Sequence, residues 1–106
     1  MQLSIFKDYV GYDLNPLADY QIDFNEEFTI KHTAEVGLIL GVLEYLDDPD
    51  KFLKTIQPTC SRFIFMALAI KAPKTSRGWK QVYNENTLFT LLNKHFSTVK
   101  IAKINK

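Results

Sequence analysis

Glycine is scarce in this chain: four in 106 residues, at positions 11, 37, 41 and 78. Nothing in their placement resembles a phosphate-cradling loop, where clustered glycines let the backbone approach a ligand closely. Cysteine occurs once, as Cys60, which excludes an internal disulfide and suits a reducing compartment. No base stands beside it in the sequence, so it is not read as a nucleophile. His32 and His95 have no metal-ligand spacing with each other or with Cys60, which argues against a zinc site, and both are read as surface residues. No apolar run reaches the ~18 residues of a membrane span, and the first residues carry no signal-peptide core. An excess of charge is also lacking, with 13 Lys and Arg against 12 Asp and Glu. A nucleic-acid footprint needs a basic face or stripe. Lys94, Lys100, Lys103 and Lys106 are spaced rather than blocked and read as solvated surface. The expectation is a soluble cytoplasmic protein with no nucleic-acid, membrane or metal partner.

What is present is apolar content, 46% of residues, enough for one domain with one core. "DYVGYDLNP" (8–16) favours extended structure through Tyr9, Val10 and Tyr12 and is broken by Asn15-Pro16. "DYQIDFNEEF" (19–28) alternates through Tyr20, Ile22 and Phe24 and predicts a second short strand. "AEVGLILGVLEYL" holds the strongest strand, with a core from Val36 to Val42 that is apolar on both faces, as the middle of a parallel sheet requires. A buried helix is the competing reading, which Gly37 and Gly41 weigh against. A helix then follows, capped by Asp48, with Pro49 in its first position and Asp50 at the positive end of its dipole. Phe52, Leu53 and Ile56 share one face, and Pro58 closes the run. "SRFIFMALAI" (61–70) predicts a buried strand, and 71–84 a polar loop. Asn84 caps a second helix striped by Leu88, Leu91, Leu92 and Phe96, and "STVKIAKI" alternates as a half-exposed strand does. The order β-β-β-α-β-α-β predicts an α/β domain, its sheet mostly parallel and flanked by helices. The final strand has an antiparallel return as an alternative.

Several of these stretches resemble class I S-adenosylmethionine-dependent methyltransferases. "VLEYLDDPDKFLKTI" is similar to "VLEHLxDPxxxLxEI", which follows the family's fourth strand. "YVGYDLNP" looks like its second strand, "YQIDF" its third, and "RFIFMALAI" its fifth, although "QPTC" stands where "KPGG" is usual. "VYNENTLFTLLNKHFSTV" is similar to the run near the family's C-terminus. The resemblance spans nearly the whole chain and implies a truncated Rossmann-like sheet, residues 1–106 forming one domain that lacks the family's first strand and its GxGxG loop.

The resemblance also implies a set of site residues. Asp13, with Asn15 beside it, corresponds to the strand-terminal acid that holds the cofactor's ribose hydroxyls. Asp23 or Asn25 would meet the adenine, and Leu40 and Gly41 would line the crevice. Glu44 and Tyr45 stand at its mouth, on the substrate side, with Tyr45 where the family often has histidine. Arg77, Trp79 and Tyr83 fall in the loop that commonly faces the methyl acceptor. The implied cofactor is S-adenosylmethionine, held weakly for want of the glycine loop, and the acceptor is not legible. Two readings stand beside an enzyme: a non-catalytic assembly module, and a fragment of a larger methyltransferase. Losing the first strand predicts direct pairing of the Tyr9–Tyr12 strand with Val36–Val42 in one continuous sheet. It also predicts homo-oligomers through an exposed sheet edge or helix face.

Overall fold

The computed structural model describes residues 10–68 and 80–102. It shows a small α/β arrangement of two short parallel two-stranded sheets and two helices. β1 (Tyr12–Asp13) pairs with β2 (Tyr20–Gln21), and β3 (Ala34–Leu40) pairs with β4 (Cys60–Ala67). α1 (Pro49–Ile56) connects β3 to β4, and α2 (Glu85–Asn93) follows.

Both helix starts match expectation. Asp48 accepts the Lys51 N–H on its side chain, and Pro49 occupies the first helical position, where its missing N–H costs nothing. Asn84 accepts the Thr87 N–H while the Thr87 hydroxyl accepts from the Asn84 N–H, a reciprocal capping box. α1 ends at Ile56 and runs into a turn of 3-10 helix, Gln57–Thr59, that carries Pro58. Apolar stripes from both helices meet one face of β3–β4. Ile39, Leu43, Leu46, Phe52, Leu53, Tyr83, Leu88, Leu91 and Leu92 form the core, with Ile64 and Met66 packed against it. Full burial of a leucine stabilises by about 1.5–3 kcal/mol, so these residues dominate the fold's stability.

β4, expected to be a buried strand, is mostly exposed, with Phe63 and Phe65 open to solvent. Beyond this, the strands depart from expectation in three ways. β3 stops at Leu40 rather than Val42, because Gly41 takes φ +65° and Leu43–Tyr45 coil into a 3-10 turn. The Gly41 N–H donates to the Ala67 carbonyl at 2.7 Å, the last rung beyond the ladder. The strand expected over 97–104 does not form in its described part, 97–102, where Val99 and Ile101 instead rest against the core as irregular chain; residues 103 and 104 lie outside the described residues.

The third departure concerns the continuous sheet. β1 pairs with β2 and not with β3. The cause is local. Only six residues join β1 to β2, too few for the crossover of a dozen or more that a long parallel ladder needs, so the pair stays at two rungs. Asp19 accepts the Gly11 N–H at 2.7 Å and the Tyr12 and Tyr20 rings stack at 5.1 Å, which holds the two strands on each other. Beyond β2, Phe24 and Phe28 pack edge-on at 5.2 Å, and Phe24 meets Phe52 of α1 at 5.2 Å. That aromatic cluster anchors the 22–28 segment on the helix instead of guiding β1 alongside β3.

Candidate functional site

Parallel pairing brings the carboxyl ends of β1 and β2 to the same side. Asp13 ends β1, exposed, and its carboxylate accepts the Leu14 N–H at 2.7 Å. A carboxylate has about four acceptor sites, so this bond leaves capacity for the hydroxyls of a sugar. Asn15 shapes the turn that follows: its side chain accepts the Leu17 N–H and its carbonyl the Ala18 N–H. Asp23, two residues past β2, closes a second turn by accepting the Asn25 N–H at 2.9 Å. Beside the second of these turns lies an open cleft of about 460 Å³, with Tyr12, Tyr20, Asp23, Glu26, Phe28 and Lys31 on its walls; Asp13 and Asn15 do not line it.

The mouth of β3 is a separate group. Leu40 is exposed at its end, and Gly41 turns the chain into the Leu43–Tyr45 coil. That coil is gripped from two directions. On one side the Glu44 carbonyl accepts the Lys80 and Gln81 N–H groups, and the Gln81 side chain donates to the Leu46 carbonyl. On the other side Asn25 donates its amide to the Tyr45 carbonyl at 2.9 Å and accepts the Asp47 N–H at 2.8 Å. Asn25 therefore joins the 23–25 turn to the mouth of β3 by hydrogen bonds, and its amide is engaged at both ends.

The side chains at this mouth divide. Tyr45 is exposed, whereas Glu44 is buried with only 4% of its surface accessible. Tyr83 is turned into the core, where its hydroxyl donates to the Leu43 carbonyl at 3.3 Å. Burial, reinforced by the charges of Glu44 and Asp50, pushes the Tyr83 phenol up to about 12. It is a neutral brace under the mouth near pH 7. Arg77 and Trp79 lie outside the described residues.

Comparison with known proteins adds no relative. No family model, curated protein or solved structure matches the chain.

Three features escaped the sequence reading. Tyr12, Tyr20 and His32 form an aromatic cluster in which the Tyr12 hydroxyl bonds His32 Nδ1, although nothing in the spacing of these residues announced it. His95 is not a surface residue: only 14% of its side chain is accessible, and its Nε2 donates to Asp50 at 2.8 Å, pinning the end of α2 to the start of α1. That hydrogen bond, together with the charge of Lys94, lowers the Asp50 carboxyl below its ordinary range against the opposing effect of burial. The clasp made by Asn25 was also missed, since an asparagine in a turn usually serves only its own backbone. Among the described residues no group of His, Cys, Asp or Glu could hold a metal ion, and no helix is long and apolar enough to cross a membrane.

Proposed function

We propose that this chain is a methyltransferase-like α/β domain, related in plan to the Rossmann-like sheet, that takes S-adenosylmethionine weakly along the ends of β1 and β2. The observation that carries the reading is the parallel pairing that sets Asp13 and the Asp23–Asn25 turn at neighbouring carboxyl ends, where ligands of open α/β sheets sit. Asp13 accepts the ribose hydroxyls, and the Asp23 turn meets the adenine. Leu40, Gly41 and Tyr45 face the methyl-donor end from the mouth of β3. Methyl transfer rests largely on holding acceptor and sulfonium methyl in line. A cradle without glycine-rich backbone donors forgoes several hydrogen bonds of ~0.5–1.5 kcal/mol each, which is why binding is weak.

Isothermal titration of the full chain with S-adenosylmethionine and S-adenosylhomocysteine tests this. Dissociation constants above the micromolar range are expected, with Asp13→Ala weakening both ligands by ~10-fold or more, the loss of a charge-assisted pair of hydrogen bonds. No heat at millimolar ligand, or binding indifferent to Asp13→Ala, overturns the reading. A second reading, a non-catalytic assembly module, is favoured by the exposed phenylalanines of β4.

A further inference from the structure

We propose that the face of the β3–β4 sheet that the described residues leave open is a homodimer interface, packed against the same face of a second copy of this chain. The register decides which side chains share that face. Val36 lies beside Phe63, Leu38 beside Phe65 and Leu40 beside Ala67, so these alternate positions point away from Ile39, Ile64 and Met66, which serve the core. Phe63 and Phe65 are 48% and 58% accessible and Leu40 is 44% accessible. The two phenylalanine rings meet edge to face at 5.1 Å, a preformed aromatic ridge rather than two independent side chains. Among the described residues of the two strands, no charged side chain occupies this face, and Ser61 is the polar one.

A second copy fits this surface on charge and on area. An uncharged face meets its own image without like-charge repulsion, and a net charge of +1 leaves little long-range opposition between copies. A partner with a charged docking surface would instead bury its charges against phenylalanine and leucine without compensation. The exposed apolar surface is roughly 400–500 Å² per chain, within the range that marks a functional patch. Two such faces bury on the order of 1,000 Å², the threshold of a specific interface, so the dimer is reversible and concentration-dependent rather than obligate. Each sheet face tolerates a sheet at ~10 Å, and a twofold axis needs only one patch. The inference rests on Phe63 and Phe65, which lie outside the proposed cofactor site, and Leu40 alone borders both.

Sedimentation equilibrium of the full chain between about 1 and 200 µM tests it. The expected result is a mass rising with concentration from 12.3 kDa toward twice that value. Phe65→Glu should weaken association by ~10-fold or more, while Phe89→Glu, on the exposed side of α2, should leave it unchanged. A single-chain mass throughout, or association that survives Phe65→Glu in a folded protein, overturns the proposal. Methyl resonances of Val36 and Leu38 provide a reading on the wild-type chain, whatever the variant does to folding. They should shift on dilution, and constancy across the same range overturns the proposal equally.

Discussion

Replacing Gly37 by alanine should strain the β3–β4 contact, and a second substitution should relieve the strain. A Cβ built at Gly37 comes 2.7 Å from the Cys60 sulfur and 3.4 Å from Ile64 Cγ1. The first distance is far inside van der Waals contact, and Ile64 is β-branched and stiff, so the yielding atom is the sulfur. Cys60 must leave a site where its thiol also approaches the Thr59 hydroxyl at 3.7 Å. Overpacking of this size costs about 1–3 kcal/mol. Against it stands a gain of about 0.4–1 kcal/mol, because alanine restricts the unfolded chain more than glycine does. Gly37→Ala should therefore destabilise by about 1–2 kcal/mol. With Cys60→Ala the sulfur is gone, and the same glycine substitution should become neutral or slightly stabilising. Urea unfolding of the four proteins gives the coupling directly, expected at about 1–2 kcal/mol. A coupling below about 0.3 kcal/mol would show that the two residues do not contend for the same space.

Three further expectations can be measured alongside. Asp48→Ala should cost about 1 kcal/mol through the lost α1 cap, with circular dichroism unchanged; a much larger loss would mean Asp48 also serves something buried. Leu53→Ala should cost about 2–5 kcal/mol, since Leu53 is 0% accessible, whereas Leu17→Ala, at 91% accessible, should stay within about 0.5 kcal/mol in the same urea titration. Tyr83 makes stability fall on the alkaline side. Its phenol is raised to about 12 in the folded chain, so its contribution is whole below the ordinary value of 10.0 and is lost as pH climbs from 10 toward 12. The loss is at most about 2–3 kcal/mol. Tyr83→Phe should flatten that part of the stability curve, and an unchanged alkaline slope would remove Tyr83 from the account.

The helices were legible in the sequence because their signals are local. Asp48-Pro49 and Asn84 announce helix starts within a few residues, and the apolar spacing of Phe52, Leu53, Leu88, Leu91 and Leu92 selects the buried side. The parallel partnership of the 34–40 and 60–67 strands followed from the helix between them. Sheet order was not legible, since the choice of β1's neighbour turns on an aromatic stack and a six-residue connection. Among the candidate site residues, Asp13 and Tyr45 are exposed. Glu44 and Tyr83 are buried, and composition gave no means of telling an acid at a strand mouth from one tucked beneath it.

The two-sided grip on the 43–47 coil has a consequence for the order in which the chain assembles. β3, α1 and β4 lie within 34 to 67, so their pairing closes a short loop at modest entropic cost. Asn25 reaches Tyr45 across 20 positions, but Gln81 and Tyr83 reach back 35 and 40 positions to Leu46 and Leu43. During synthesis from the N-terminus, the β-α-β unit and the Asn25 bonds can form while residues 80–83 are still inside the ribosome. The coil that ends β3 is then held from one side only. Its second support, the phenol beneath it and α2 arrive together in one late step, so the mouth is the last part of the candidate site to take its shape.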